Sequence, residues 1–111
     1  MKILVIWKAL VSEAYHKRFI ELAKLKDVEL TLIVPTRWHK TNLEKGFCNE
    51  YKIIPTKIVL NGYNHFHWYP RLEKYVRQIR PDIFHIEEEH YSFVTYQAIK
   101  LAKKYNIKCL F

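Results

Sequence analysis

Glycine is scarce in this sequence of 111 residues, with only two present. The segment that follows the first apolar run, at positions 8–12, reads Lys-Ala-Leu-Val-Ser. Neither a GxGxxG fingerprint nor a GxxxxGK[ST] loop occurs anywhere in the chain. Because both phosphate-binding loops need glycines that let the backbone approach the phosphates, a dinucleotide fingerprint and a P-loop are excluded.

Cysteine and long apolar runs are also scarce. Cys48 and Cys109 lie far apart and have no zinc or redox spacing, and we expect Cys109 to be a core residue. A reducing, cytoplasmic location is the simplest expectation. The apolar run Ile3–Trp7 is too short for a signal peptide, and no run approaches the roughly 20 residues of a membrane span.

Acidic residues are outnumbered, since 11 Asp and Glu face 19 Lys and Arg and give a net charge of +8. Three interpretations remain open: lysine-rich helix faces in water, a surface for anionic lipid or a phosphorylated ligand, and nucleic-acid binding. The basic residues are scattered along the chain rather than gathered in one arm. We therefore expect no nucleic-acid partner.

The first third of the chain has the pattern of a βαβ unit. Lys2–Trp7 and Val28–Val34 are continuous apolar runs with branched residues, which is typical of strands buried on both faces. Between them, Ser12 is a suitable N-cap for a helix that we expect to run to about Lys26. Pro35 ends the second strand.

The middle of the chain is more irregular. We predict a long loop at Thr36–Tyr51, with one helical turn around Asn42–Lys45. Lys52–Ile54 and Lys57–Leu60 are predicted as short strand pieces around a proline. A hairpin between these pieces and His65–Trp68 is an alternative that the sequence leaves open.

The last third alternates helix and strand again. Pro70 suits the first turn of a helix that ends at Pro81, and strand Asp82–Ile86, helix Ser92–Tyr105 and strand Ile107–Phe111 follow. This order predicts an α/β fold with a doubly wound, mostly parallel Rossmann-like sheet, formed by residues 1–111 as one domain. Because the chain stops inside an apolar strand, we expect it to be a fragment of a longer protein.

The best candidate for chemistry is the stretch Pro81–Ser92, in which three glutamates follow a buried strand. Ligands of open parallel sheets bind at the carboxyl ends of the strands, so the loops Lys8–Ser12 and Glu87–Ser92 should meet at one crevice. Crowded carboxylates raise one another's pKa, which suits acid–base catalysis. A solvated acidic entry to the next helix is the alternative.

Histidines and aromatic residues supply weaker signals. His65 and His67 share a face of an extended segment, but no third ligand accompanies them, and no metal site is predicted. His85 should face inward as a structural residue, whereas His90 follows the carboxylates and could serve either purpose. Three aromatic residues could stack on sugar or base rings or fill the core: Trp38, Trp68 and Tyr69.

One family shares the pattern of these residues. Met1–Trp7 with its βαβ start, and above all Pro-Asp-Ile-Phe-His-Ile-Glu-Glu-Glu at positions 81–89 with Tyr91 and Ser92, resemble the N-terminal half of family 4 glycosyltransferases, which have the GT-B fold. Members commonly carry Pro-Asp, two apolar residues, His, one apolar residue, then His or Glu, and Glu. The resemblance extends over the whole chain.

The resemblance implies an enzyme of two Rossmann-like domains with a cleft between them. The N-terminal domain of such enzymes binds mainly the acceptor, and the C-terminal domain, absent from these 111 residues, holds the nucleotide-sugar. Transfer proceeds with retention of configuration and without a bound metal or other cofactor. We therefore expect the acceptor-side domain of a retaining glycosyltransferase, inactive alone.

The resemblance also suggests site residues and partners. Many members have glycines where this chain has Lys8-Ala9-Leu10, and a functional histidine where it has Glu87. The expected partners are a sugar or lipid-linked acceptor, a nucleotide-sugar held by the second domain, and the membrane as a peripheral contact. Glu87 and Glu88 are the catalytic candidates, and the ligand-binding candidates are Lys8, Ser12, Glu89, His90 and Tyr91.

A function of a different class stays open beside this one. The chain could be a stand-alone flavodoxin-like binding or regulatory domain. Phosphate-accepting receiver domains carry an acidic pair after the first strand, whereas this chain has Lys8 and Ala9 there. A nucleic-acid-binding module is a third and weaker alternative.

Overall fold

The structure is a computed structural model that describes residues 1–44, 51–63 and 65–110. Two 3-10 helices, at Lys8–Val11 and Glu13–Tyr15, follow the first strand. The α-helices are α1 (Lys17–Ala23), α2 (Leu72–Ile79) and α3 (Phe93–Lys104). The strands are β1 (Lys2–Ile6), β2 (Glu29–Pro35), β3 (Arg37–Trp38), β4 (Thr41–Asn42), β5 (Lys52–Thr56), β6 (Ile83–Ile86) and β7 (Lys108–Leu110).

Five strands form one sheet in the order β5-β2-β1-β6-β7, and each neighbouring pair is parallel. The predicted α/β class and the parallel sheet are therefore confirmed. Counted along the chain without the short pair β3–β4, the order is the third, second, first, fourth and fifth strand. This order is compatible with a Rossmann-like fold and differs from the order of flavodoxin-like sheets.

The two faces of β1 contribute to two separate hydrophobic clusters. Leu4 and Ile6 pack in a cluster with residues of α2 and α3, whereas Ile3 and Val5 pack in the other with Phe19 of α1. Alternate side chains of a strand point to opposite faces, so a strand covered on both sides needs a continuous apolar run. The prediction of β1 as a buried strand is confirmed.

The first helix is shorter than predicted. It begins at Lys17 rather than after Ser12, and it ends at Ala23. Ser12 instead closes the first 3-10 helix, where its N–H donates to the carbonyl of Ala9 at 3.1 Å. The ring of buried His16 lies 2.7 Å from the carbonyl oxygen of Leu10, so a tertiary contact replaces regular helix in this segment.

The middle segment also differs from the prediction. Asn42 lies in β4, which pairs with β3 in a small antiparallel hairpin, so a helical turn at this residue is wrong. The rest of that prediction, at Lys45, lies outside the described residues, as does Cys48. β5 continues through Pro55 as an edge strand beside β2, because an edge strand tolerates a missing N–H donor.

Of the possible hairpin after β5, the described residues contain one antiparallel bridge. Val59 and Trp68 form an isolated antiparallel bridge, with N–H to carbonyl distances of 3.0 and 3.2 Å. The predicted strand piece beginning at Lys57 is therefore reduced to this single bridge. The loop between the two bridge residues lies beside the start of α3, since the N–H of Phe93 donates to the carbonyl of His65 at 2.9 Å.

The last elements agree better with the sequence pattern. The helix predicted from Ser92 begins at Phe93, and Ser92 caps it by accepting a hydrogen bond from the N–H of Thr95 at 3.3 Å. Cys109, predicted in the core, is half-buried against it. Among residues 1–44, 51–63 and 65–110, no helix has the length and apolar character needed to cross a bilayer.

Candidate functional site

The site lies where β1 and β6 end side by side. Ile6 and Ile86 are paired in register, and the N–H of Glu87 donates to the carbonyl of Ile6 at 3.1 Å. The loops that leave these strands therefore start next to each other. The predicted meeting of the segments that begin at Lys8 and Glu87 is confirmed.

Lys8, Glu88 and Glu89 form a compact group that we call the Lys8–glutamate cluster. The ammonium of Lys8 lies 2.8 Å from Oε2 of Glu88 and 2.9 Å from Oε2 of Glu89. The backbone N–H of Lys8 also donates to Oε1 of Glu88 at 2.6 Å. Both carboxylate oxygens of Glu88 are thus occupied by one residue of the opposite loop.

Burial distinguishes the two carboxylates of this cluster. The side chain of Glu88 is 0% exposed, whereas that of Glu89 is 34% exposed and can be reached from solvent. A buried charge is stable only when it is paired and hydrogen-bonded, and Lys8 meets both needs of Glu88. Glu88 therefore anchors Lys8, and Glu89 presents the accessible carboxylate.

The pKa values in the cluster follow from this arrangement. Burial alone would lower the pKa of Lys8, but the charges and hydrogen bonds of Glu88 and Glu89 outweigh it and raise the pKa above 10.5. Burial would raise the pKa of Glu89, but the hydrogen bond from Lys8 and its charge lower it below 4.5. The raised pKa of Lys8 and the lowered pKa of Glu89 both favour their ion pair at neutral pH.

Glu87 points away from this cluster. Its Oε1 lies 2.6 Å from the guanidinium of Arg18 and 2.5 Å from Nε2 of His85, and we call these three residues the Arg18–Glu87–His85 triad. Successive residues of an extended segment face opposite sides, so the first two glutamates separate. His85 was expected to face the core, but its side chain is 27% exposed and contacts Glu87.

Two residues that the sequence left undecided lie against the Lys8–glutamate cluster. The rings of Trp38 and His67 are 4.7 Å apart, and the ammonium of Lys8 lies 5.5 Å from the centre of the Trp38 ring. Nε2 of His67 is 3.8 Å from Oε2 of Glu88. The sequence predicts no metal site at His67 and favours a polar aromatic lining of a cleft or a packed loop, but it does not indicate the contact with Glu88.

Two buried polar atoms near the cluster have unused hydrogen-bonding capacity. Nε2 of His67 and the hydroxyl of Tyr69 have no hydrogen-bond partner within the part of the chain that the structure describes. Burial, together with the charge of Glu88, raises the pKa of Tyr69 well above 10.0. Tyr69 therefore keeps its proton and can donate a hydrogen bond at any ordinary pH.

The other predicted residues divide into two groups. His90 and Tyr91 follow the cluster in sequence and are exposed, and the ring of Tyr91 lies 4.9 Å from that of His65. Ser12 lines a separate shallow depression with Lys17 on the side of α1. None of the contacts described for residues 1–44 joins Ser12 to the Lys8–glutamate cluster.

A metal centre has no support in the described ranges, where no three His, Cys, Asp or Glu side chains are grouped as ligands. The arrangement instead provides a fixed ammonium, an accessible carboxylate and the buried hydroxyl of Tyr69. Such groups can bind hydroxyls of a polar ligand through charge-assisted hydrogen bonds.

Comparisons with known proteins do not assign this chain to a family. No protein-family model matches it, and no curated protein and no solved structure is significantly similar to it. Its function must therefore be inferred from the geometry and chemistry of the site.

Proposed function

We propose that this chain is the acceptor-side domain of a retaining glycosyltransferase of the family 4 type, a doubly wound sheet forming the N-terminal half of a GT-B fold. The observation that carries the proposal is the Lys8–glutamate cluster at the carboxyl ends of β1 and β6. Open parallel sheets bind ligands at this end, where the connections diverge. The sequence pattern of positions 81–92 supports the same assignment.

Glu89 is the residue we assign to the acceptor. Its carboxylate is partly exposed and already polarised by Lys8, so it can accept hydrogen bonds from sugar hydroxyls. Tyr91, two residues further along the chain, is exposed and offers a ring face on which a sugar can stack. His90, in ring contact with Tyr91, completes the exposed side of the site.

Glu87 and Glu88, the two catalytic candidates, have different surroundings and therefore different proposed roles. Glu88 holds Lys8 and has no free carboxylate oxygen for a proton transfer. Glu87 is bound to Arg18 and His85, and its side chain is 22% exposed. We therefore assign Glu88 to positioning and keep Glu87 as the candidate for contact with the donor sugar.

The remaining parts of the proposal concern the donor and the setting of the reaction. A second domain would bind the nucleotide-sugar, so the 111-residue chain alone should be inactive. No bound cofactor or metal is required by this mechanism. A cytoplasmic location and a sugar or lipid-linked acceptor belong to the same proposal.

A stand-alone binding or regulatory domain remains the alternative function, but the strand order is not the flavodoxin-like one. Flavodoxin-like sheets place the second and third strands on either side of the first, whereas here β2 and β6 flank β1 and β5 lies outside β2. A binding domain with the present strand order would use the same Lys8–glutamate cluster without transferring a group. Binding measurements with donors and acceptors distinguish the two.

The test is an NMR titration of the isotope-labelled chain with methyl glycosides and with nucleotide-sugars. We expect methyl glycosides to shift the amide signals of Glu89, His90 and Tyr91, with dissociation constants on the order of 1 mM or weaker, since few contacts are made. Glu89→Gln should weaken this binding about tenfold, because a hydrogen bond to a charged group contributes about 1.5–3 kcal/mol.

The matched control is Glu29→Gln. It changes an exposed carboxylate at the start of β2, at the end of the sheet opposite the site, and should leave binding unchanged. Turnover of any nucleotide-sugar by the chain alone would contradict the proposed acceptor-side role. Shifts at these residues with nucleotide-sugars alone, and none with glycosides, would favour the binding-domain alternative.

A further inference from the structure

Exposed apolar side chains are concentrated in two short stretches of this molecule. Of the 11 large apolar side chains that are exposed in the described ranges, seven belong to positions 59–63, 66 and 91–96. Tyr63, Phe66, Tyr91 and Tyr96 are each 61% exposed. Isolated apolar residues are common on protein surfaces, but a concentration of this kind marks an interaction site.

The two stretches form one continuous surface. The His65 ring lies 4.9 Å from that of Tyr91 and 6.4 Å from that of Phe66. The Phe93 ring lies 6.4 Å from that of Trp68 and 6.1 Å from that of Tyr96. We call this the aromatic surface, and its seven exposed members are Val59, Leu60, Tyr63, Phe66, Tyr91, Phe93 and Tyr96.

Basic residues predominate in the two segments of the chain that form the aromatic surface. Positions 51–72 and 90–111 contain no Asp or Glu, whereas they hold seven Lys and Arg residues. Lys100 and Lys104 line a groove that begins at Phe93 and Tyr96. The one carboxylate of this groove, Glu73, is paired with Lys104 at 2.6 Å. The surface therefore complements an anionic partner.

The backbone holds one aliphatic residue of this surface in an uncommon conformation. Leu60 has a φ of 60°, in the left-handed region, and its side chain is 49% exposed. Gly62 follows with a φ of 91°, and the turn is fixed by hydrogen bonds of 2.7 and 3.2 Å between Asn61 and the backbone of His39. An ordered turn thus presents an apolar side chain to solvent instead of burying it.

We propose that the aromatic surface docks this protein on an anionic lipid bilayer. Tyrosine and tryptophan combine an apolar body with a polar tip, which suits the interface between headgroups and acyl chains. Lysines beside them are attracted to anionic headgroups. The chain then lies on the membrane without crossing it.

A single-stranded nucleic acid would need a different surface. Its bases stack on successive ring faces along a basic groove that follows the backbone. Here the aliphatic side chains Val59 and Leu60 belong to the same exposed stretch and provide no ring for stacking. A surface that mixes aliphatic and aromatic side chains, with Lys100 and Lys104 on one side of it, favours the bilayer.

This inference does not depend on sugar transfer. The experiment therefore uses vesicles without any glycolipid, so its failure leaves the proposed acceptor site as it stands. The 111-residue chain is mixed with phosphatidylcholine vesicles, with and without phosphatidylglycerol, and the bound fraction is measured by flotation. We expect binding to the anionic vesicles only, and a loss of at least fivefold at high salt because the headgroup attraction is screened.

Two pairs of matched variants test the surface itself. Phe66→Ser with Tyr91→Ser should reduce the partition coefficient about tenfold, since two exposed aromatic side chains no longer enter the interface. Tyr15→Ser with Leu25→Ser removes two exposed apolar side chains elsewhere and should change nothing. Lys100→Glu should weaken binding more than Lys17→Glu, and circular dichroism checks that each variant is folded.

Several results would overturn the proposal. Absence of flotation with anionic vesicles is the simplest of them. An equal loss in the control pair, or equal binding to pure phosphatidylcholine, would show that this surface or its charge is not responsible. Binding of a single-stranded oligonucleotide that is abolished by the Phe66 and Tyr91 substitutions, without vesicle binding, would assign the surface to nucleic acid.

Discussion

Glu87 and Glu88 are neighbours in sequence, yet they belong to two ion-pair groups of very different character. Glu88 is completely buried in the Lys8–glutamate cluster, and one residue occupies both of its carboxylate oxygens. Glu87 belongs to the Arg18–Glu87–His85 triad, where the side chain of Arg18 is 55% exposed. Glu87 and Glu88 both follow β6 directly, at the edge of the sheet where β1 also ends.

The difference shows that environment, rather than residue type, determines how much a carboxylate contributes to the stability of the fold. Water solvates the partners of Glu87 when its ion pair is broken, so that pair is worth at most about 1 kcal/mol. Water does not reach Glu88, so removal of Lys8 would leave its carboxylate as an uncompensated buried charge. Removal of Glu88 would leave the ammonium of Lys8 paired with Glu89 and its N–H without the Glu88 acceptor. A glutamate therefore contributes little to stability at position 87, whereas the same side chain is important for stability at position 88.

The largest effect that tests this comparison is on the free energy of unfolding. Glu88→Ala should lower it by about 2–3 kcal/mol, because the N–H of Lys8 loses its acceptor and the ammonium keeps only the ion pair with Glu89. Glu87→Ala should lower it by about 1 kcal/mol or less. Urea unfolding followed by circular dichroism measures both values.

A double variant separates charge from packing in the same experiment. Lys8→Met with Glu88→Gln keeps the volume of both side chains but removes both charges, and it should be more stable than Glu88→Ala. If Glu87→Ala and Glu88→Ala have equal costs, burial does not distinguish the two groups and the comparison fails.

The second effect is a loss of stability in alkaline solution. Tyr69 has a raised pKa because of burial and the charge of Glu88, so the folded state keeps a proton that the unfolded chain releases above pH 10. Its contribution is complete below pH 10 and decreases as pH rises towards the folded pKa, by up to about 1.4 kcal/mol per pH unit. Lys8 acts in the same direction above 10.5.

Tyr69→Phe should remove one of these two contributions and reduce the alkaline slope by about 1.4 kcal/mol per pH unit. At neutral pH the variant should differ from the parent by about 1 kcal/mol or less, because its hydroxyl has no partner in the described part of the chain. Glu87→Gln is the control and should leave the slope unchanged. An unaltered slope in Tyr69→Phe would contradict the assignment.

The smallest effect concerns salt. The coupling energy between Arg18 and Glu87, from a double-mutant cycle with Arg18→Gln and Glu87→Gln, should be about 0.2–1 kcal/mol at low salt. It should approach zero in 1 M salt, since exposed charges are screened there over about 3 Å. A coupling that persists in high salt would place Glu87 in an environment as protected as that of Glu88.

Much of the fold was predictable because local patterns and tertiary contacts agree. β1 is a continuous apolar run covered on both faces, and Ser92 starts α3 with the capping hydrogen bond expected of a serine. The meeting of Lys8 with the glutamates followed from strand order alone. Each of these features depends on rules that hold over a few residues or over a whole sheet.

Other features depend on particular side-chain contacts or on the position of a strand in the sheet, and the sequence pattern does not predict them. The sequence around Ser12 favours a helix, but the contact of His16 with Leu10 stabilises two 3-10 turns instead. Pro55 argues against a strand, but its place at the edge of the sheet removes the conflict. A sequence pattern does not specify which strand is at an edge or which ring meets which carbonyl.

The three consecutive glutamates show which features the sequence determines and which depend on the tertiary structure. The sequence by itself determined that carboxylates follow a buried strand and precede a capped helix, since apolar periodicity and Ser92 are local signals. Only the tertiary structure decided that Glu88 is buried against Lys8, that Glu87 faces Arg18, and that Glu89 remains accessible. The direction and burial of these side chains depend on partners 69 to 81 residues away in the chain, and no local pattern contains them.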